Sequence, residues 1–299
     1  MILTATAGPE LAGKRLDDGA RELFPQLSKG RIRQIIDWGG CAVAGQMVRV
    51  ASRLLRPGDE IILGVMEPEG YREFAYTREE LLYEDADYLA INKAAGINCQ
   101  RTPYQLKGTA EYAVTLYLRS LGSAEPARVI HRLDRGTSGV MIFPKNRRAA
   151  AHISSRLKEG EVEKIYWALV TAIPPAEEWI VAAPIAKVGR ARYGVATPGK
   201  EARTLFRLLA RGDGAALMEA RPITGRTHQI RVHLAHEGFP ILGDTTYGGG
   251  EAPRMMLHCR AMAFTAAGGR QVLAAAPLDL TFRRACEERG IALPGEGSE

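Results

Sequence analysis

Residues Glu67, Pro68, Glu69 and Gly70 mix acid, proline and glycine without apolar periodicity, which suits a linker better than a helix or a strand. The chain behaves differently on its two sides. Before the break, Leu16, Ala20, Leu23 and Phe24 recur at helical spacing until Pro25 closes the segment. Ser28 is placed to cap a second helix whose inner face is Ile32, Ile35 and Ile36, whose outer face carries Lys29, Arg31 and Arg33, and whose stop is Gly39 and Gly40. Short strand-like pieces follow at 41–50 and 59–65, with turn signals at Ala44, Gly45, Gln46 and at Pro57, Gly58, Asp59. Beyond the break, strand patterns at 88–97, 138–146, 163–173 and 202–210 interleave with helical patterns at 147–160 and 227–238. The pattern therefore predicts a small unit over 13–66, a linker over 67–77 and a larger α+β domain over 78–290. No fixed-period repeat or low-complexity tract points to a solenoid or a disordered chain.

With 299 residues, 46% of them hydrophobic and 25% charged, the chain has apolar material for more than one core without disulfides or metals. Cys41, Cys99, Cys259 and Cys286 lie far apart with no C-x-x-C pair, so they read as reduced thiols rather than a disulfide framework or a zinc ribbon. The first ten residues lack a basic, then long apolar, leader, and no stretch approaches the roughly 18 apolar residues of a membrane span. The cytoplasm is the expected compartment. The net charge of +6 is compatible with a polyanion partner and decides little alone.

Residues 131–139, HRLDRGTSG, are the most informative stretch. Arg128, Arg132, Arg135, Lys145, Arg147 and Arg148 surround the single acid Asp134, just before the apolar run 140–143. The cations stabilise the charge of a carboxylate that can attack carbon. The plain alternative is an aspartate that caps a turn through Thr137 or Ser138. A second stretch, 221–248, contains a helix that Thr227 is placed to cap and Gly238 to end, with Ile230 and Leu234 on one face. Arg231 lies beside that face, where its guanidinium can hold a carboxylate by two parallel hydrogen bonds. His228, His233 and His236 do not have HExxH spacing, and no metal is expected.

Residues 15–63, with Arg15-Leu16-Asp17, Leu27-Ser28 and the basic helix, Gly39, Gly45 and Gly58-Asp59, resemble the S4 RNA-binding module. The resemblance implies RNA binding, with Lys29, Arg31 and Arg33 offered to phosphates, where charge contacts add through counterion release. Residues 80–285 resemble the RluA-type pseudouridine synthases. INKAAGI (91–97), HRLDRGTSG, KIYWALV (164–170), GKEARTLF (199–206), GRTHQIRVHL (225–234) and LHCRAMAF (257–264) occur in the family's order. Ala94 stands where the family usually has proline, and the final APLDLTF lacks a second one. Both departures concern loop stiffness rather than reacting groups.

The resemblance implies a catalytic domain with a mixed, largely antiparallel sheet flanked by helices and loops. It also implies an isomerase that turns uridine into pseudouridine without a cofactor. Asp134 would be the nucleophile, attacking C1′ or C6, and Arg231 its ion-pair partner. Tyr166 would lie against the base, Arg132 would enter the space of the extruded nucleotide, and Leu257 would wall the pocket with 140–143. An S4-like module before this pattern points to large-subunit ribosomal RNA, with transfer RNA the second candidate. No membrane and no obligate protein partner is implied. Two rivals stand beside this reading. One is a glycosylase that hydrolyses the same bond, though no second acid stands in HRLD. The other is a non-catalytic RNA-binding or ribosome-assembly protein.

Overall fold

A computed structural model describes residues 2–64, 74–103, 105–189 and 192–294; the break at 67–70 lies outside the described residues. The chain forms two compact units, one made of Met1–Thr77 with Ile97–Ala127, the other of Arg78–Gly96 with Arg128–Glu299.

The first unit contains β1 (Ile2–Thr6), α1 (Leu16–Leu23), α2 (Lys29–Asp37), β2 (Cys41–Val43), β3 (Gln46–Met47) and β4 (Glu60–Gly64). Its sheet runs β1-β4-β2-β3, antiparallel throughout. The apolar spacing of α1 and α2 buries Leu16, Ala20, Ile32, Ile35 and Ile36 in one core with Ile61 and Leu63 of β4. Each leucine or isoleucine among them contributes about 1.5–3 kcal/mol on leaving water. Ser28 caps α2 as expected, its Oγ accepting the Arg31 N–H at 3.1 Å. Ala44 and Gly45, both at positive φ, make the tight β2–β3 turn.

Two features depart from the sequence pattern. Strand β1 lies before residue 13, yet it pairs with β4 along its whole length. It is half-exposed at the sheet edge, so it carries little apolar signal. The segment 97–127, expected within the 78–290 domain, belongs to the first unit and carries α3 (Ala110–Ser120). Glu111 of α3 is buried, and its carboxylate takes two hydrogen bonds from Arg49, at 2.9 and 2.8 Å, and three from Arg101, one from its backbone N–H at 2.9 Å and two from its guanidinium at 3.3 and 3.0 Å. Breaking such a buried pair from one side typically costs about 3–5 kcal/mol.

The second unit contains β5 (Leu81–Glu84), β6 (Tyr88–Lys93), β7 (Ser138–Pro144), α4 (Arg147–Glu159), β8 (Glu163–Val170) and β9 (Glu178–Ala182). It continues with β10 (Ile185–Lys187), β11 (Tyr193–Val195), β12 (Arg203–Arg211), β13 (Ala216–Pro222), α5 (Gln229–His236), β14 (Leu257–Thr265), β15 (Gln271–Ala275) and α6 (Leu280–Glu287). Strands β10 and β11 form a separate hairpin. The large sheet runs β5-β6-β7-β14-β8-β13-β12-β9, with β15 on β14, and among the described residues only β7 and β14 pair in parallel. The mixed, largely antiparallel sheet and the α+β class expected from the sequence are both present. The apolar run 140–143 is buried in β7 between two neighbours, as a central strand requires.

Gly139 shows why the motif ends in glycine. Its φ is 110°, and a Cβ there would stand 2.2 Å from the Cys259 carbonyl oxygen, so β14 could not pair so close with a larger residue. Helices α5 and α6 cover the sheet with Ile230, Leu234, Phe282 and Cys286 in one core. Among the described residues no helix is long and apolar enough to cross a membrane.

Candidate active site

The HRLD loop enters β7 under restraint from several sides. The Arg135 carbonyl accepts the Gly96 N–H at 2.7 Å, and the Arg135 guanidinium returns a bond to the Gly96 carbonyl at 3.0 Å. His131 Nε2 accepts the Ile142 N–H at 2.9 Å, tying the start of the loop to the middle of the strand it precedes. Burial and the charge of Lys164 push the His131 pKa down to about 4, so it stays a neutral acceptor. The turn closes through the backbone, from the Thr137 N–H to the Asp134 carbonyl at 3.0 Å. The Asp134 carboxylate is thus not used to cap its own turn.

That carboxylate meets Arg231 instead. Arg231 Nη1 donates to Asp134 Oδ2 at 2.8 Å, across 97 residues of sequence. The two parallel bonds that the sequence assigned to this arginine go elsewhere, from Nε and Nη2 to Oδ2 and Oδ1 of Asp244 at 2.7 and 2.8 Å. Side-chain exposure grades the trio: Asp244 1%, Arg231 9%, Asp134 27%. Burial opposes the charge on Arg231. The hydrogen bonds and negative charges of Asp244 and Asp134 outweigh it, and its pKa is raised above the ordinary arginine value. Tyr247 backs the guanidinium, its ring centroid 4.9 Å from Cζ. Among the described residues Asp134 Oδ1 accepts no hydrogen bond, so one carboxylate oxygen is anchored and the other is open.

Thr227 does not cap α5. The residue before the helix is His228, at φ 57° with no side-chain cap, and the buried Gln229 fastens the turn instead. Its Oε1 accepts from the Arg226 N–H at 2.9 Å, and its Nε2 donates to the Arg203 carbonyl at 2.9 Å. His228 Nε2 stands 3.8 Å from Asp134 Oδ2. His233 uses one ring nitrogen on Thr204 Oγ1, at 2.9 Å, and the other on the Ala183 carbonyl, at 3.0 Å. Among the described residues no group of three His, Cys, Asp or Glu is arranged to hold a metal. Asp244 follows Gly243, whose φ of 77° and close approach to the Arg254 carbonyl exclude a side chain.

The other residues singled out in the sequence fall as follows. Arg132 is exposed and has no polar partner among the described residues. Tyr166 is half-buried on β8, cross-strand from Cys259 of β14, and Cys259 lies beside Gly139 of β7. Leu257 is buried at the start of β14 opposite Ala168. In the first unit, Lys29 pairs with Asp18, and Arg33 donates to the buried Asp17 at 2.6 Å. Arg31 is exposed and stacks on Trp38 at 5.7 Å. Arg31 also donates through Nη1 to Gln34 Oε1 at 2.7 Å, so all three cations expected to face phosphates already carry intramolecular partners, acidic ones for Lys29 and Arg33.

Sequence reasoning missed Asp244 and Tyr247, and it weighed His228 only as a metal ligand, not as a neighbour of Asp134. The first had a usable signal: an arginine on a helix otherwise facing the core needs a carboxylate, and Asp244 and Glu237 are the only acids in 221–248. A further histidine supports the loop from behind. Ser138 Oγ bonds His258 Nδ1 at 2.8 Å, and His258 Nε2 bonds the Ala276 carbonyl at 3.2 Å. Burial lowers the His258 pKa to about 4, against the opposing effect of that carbonyl. Between about pH 6.5 and 4 the unfolded chain takes up a proton that the folded chain refuses, so stability falls on acidification across that window and levels off below it. The expected loss from this one group is about 3 kcal/mol. Urea melts against pH read it, and His258→Gln should flatten the slope; an equal slope in that variant would assign the acid loss to other groups.

The geometry defines an ion-paired carboxylate in the loop that enters β7, and the similarity of the chain to known proteins gives its family. Residues 87–236 match the RNA pseudouridylate synthase family. An uncharacterized RNA pseudouridine synthase of Aquifex aeolicus is 35% identical over 243 residues, covering 79% of this chain and 77% of the relative. Ribosomal large subunit pseudouridine synthase D of Pseudomonas aeruginosa is 32% identical over 280 residues, covering 87% of each. Among solved structures, human RNA pseudouridylate synthase domain containing 4 shares the fold, with a TM-score of 0.63 and 22% identity, over 73% of this chain and 95% of that one. Human RNA pseudouridylate synthase domain containing 1 aligns with a TM-score of 0.57 and 26% identity, over 71% of this chain and 86% of that one. The chain belongs to the RNA pseudouridylate synthase family. It is an RNA pseudouridine synthase, and therefore an isomerase.

Proposed function

We propose that the chain converts specific uridines of large-subunit ribosomal RNA to pseudouridine, with Asp134 as nucleophile. The observation that carries this is the Asp134 carboxylate itself, anchored through Oδ2 by a buried arginine and open at Oδ1. In the reaction N1–C1′ breaks, C5–C1′ forms, C5 loses a proton and N1 gains one, so no cofactor is required. A carboxylate adduct at C1′ or C6 divides the rearrangement into two easier steps. Arg231 holds the carboxylate fixed in direction, and pre-set charges of this kind need no reorganisation during reaction.

A stacked uridine must be extruded to reach this carboxylate, at a cost of a few kcal/mol. Arg132, exposed beside Asp134 and without a polar partner among the described residues, is suited to fill the space left behind. Tyr166 takes the place against the base, and Leu257 closes the apolar side, which keeps water from a trapped sugar intermediate. The S4-like segment 13–66 supplies further RNA contacts, with the exposed Arg31 held by Gln34 and Trp38 rather than by an acid, and with Lys29 and Arg33 adding charge beyond their acidic partners. The ribosomal substrate is supported by the name of the Pseudomonas aeruginosa relative, and with it a cytoplasmic place of work.

Pseudouridine mapping of ribosomal and transfer RNA tests this in cells with the gene intact, deleted or carrying Asp134→Ala. Loss of a defined ribosomal site in both altered strains is the expected result. Loss from transfer RNA instead would move the substrate, and no change at any site would leave only RNA binding.

A further inference from the structure

The Asp134–Arg231–Asp244 arrangement leaves three neighbouring polar groups unexplained: His228, the Tyr247 hydroxyl and the Tyr193 backbone N–H. They form a chain that ends at the carboxylate. The Tyr193 N–H donates to the Tyr247 hydroxyl oxygen at 3.1 Å, and that hydroxyl lies 2.9 Å from His228 Nδ1. With one lone pair occupied by the backbone donor, the phenol has its hydrogen left to give, and Nδ1 is placed to accept it. A neutral imidazole then carries its own proton on Nε2, the nitrogen that faces Asp134 Oδ2 at 3.8 Å.

We propose that His228 is a positioning residue for the nucleophile: an Nε2–H donor, its tautomer set by Tyr247, that holds Asp134 Oδ2 from the side opposite to reaction and leaves Oδ1 free. The assignment rests on Asp134 being the nucleophile. At 3.8 Å the contact is longer than a hydrogen bond, and catalytic contacts are often long before substrate binds and tighten in the complex. The imidazole has little other freedom. Tyr193 packs on it edge-on at 5.5 Å and Tyr247 at 5.7 Å. Its backbone sits at φ 57°, a conformation that costs a non-glycine residue about 1–3 kcal/mol and persists only where the surroundings enforce it.

The charges around the ring also suit a neutral donor. Burial disfavours imidazolium, Asp134 and Asp244 favour it, Arg231 opposes it, and the pKa lies below the ordinary histidine value. Arg192, stacked on the far partner Tyr247, adds no negative charge. A neutral ring can donate to Oδ2 without competing with Arg231 for the full charge of the carboxylate.

The test is single-turnover pseudouridine formation by the full chain at saturating RNA, with RNA affinity measured separately, for His228→Ala, His228→Gln, Tyr247→Phe and Asp134→Asn. His228→Ala should slow the reaction roughly tenfold to a hundredfold with RNA affinity within about twofold of the parent. His228→Gln places an amide nitrogen near the Nε2 position and should recover most of the rate, which a space-filling role alone would not require. Tyr247→Phe keeps the imidazole but frees its tautomer, so it should slow the step by roughly threefold to tenfold even if the alanine variant misfolds. An unchanged rate in His228→Ala, or in Tyr247→Phe, beside an inactive Asp134→Asn overturns the positioning role. A folded His228→Gln as slow as the alanine variant overturns the donor. Activity in Asp134→Asn would overturn the nucleophile itself, a separate failure.

Discussion

Asp134→Asn should abolish pseudouridine formation, with a fall of at least about 10⁴-fold in the single-turnover rate, while RNA affinity should stay within about twofold. The substitution keeps the size and shape of the side chain and an oxygen for Arg231 Nη1 to reach, and it removes the charge and the nucleophilicity. Little structural damage should accompany it. Asp134 is the least buried member of the trio and contributes one hydrogen bond to Arg231, whereas Asp244 keeps two on the same guanidinium. The melting temperature should therefore move by no more than a few degrees, as expected for a loss of about 1 kcal/mol. A folded Asn variant that retained a hundredth of the parent rate would exclude attack by this carboxylate, because an amide forms no such adduct.

Local signals were legible in the chain and long-range pairings were not. The isoleucine stripe of α2, its Ser28 cap and the buried run of β7 each follow from residues within a turn or a few strand positions of one another. The HRLD motif was legible because its charge contrast lies within one segment. The partner of Arg231 is different: Asp244 lies 13 residues away, Asp134 lies 97 away, and which of the two takes the bidentate contact depends on a turn that Gly243 creates. Glu111 fails for the same reason. In Ala110–Ser120 an isolated acid near a helix start reads as a solvated end, yet it is buried and receives Arg49 from 62 residues earlier. That pairing draws 97–127 into the first unit, against the boundary that composition suggested. Lys29 and Arg33 repeat the point from the other direction, since their acidic partners stand on α1 and cancel charge that a helix drawn alone would offer to phosphate.

Asp244→Ala should have the opposite signature from Asp134→Asn, a large loss of stability together with a loss of rate. Arg231 is buried, and without Asp244 both Nε and Nη2 lose their acceptors in a site with almost no access to water. Stranding a buried charge in this way costs about 3–5 kcal/mol, which thermal or urea unfolding resolves easily. The guanidinium would also lose the contact that fixes its plane, and a carboxylate held by a loose arginine points less consistently at carbon. The single-turnover rate should fall by roughly 10²–10³-fold at temperatures where the variant remains folded. Asp244→Asn, which keeps one acceptor oxygen, should lie between the parent and the alanine variant in both measurements. Replacing both partners, Arg231→Met with Asp244→Leu, separates the two effects: an apolar pair of similar volume should restore much of the stability without restoring the rate. If Asp244→Ala melted like the parent, Arg231 would have found another acceptor, and Asp244 would not be what holds the arginine against Asp134.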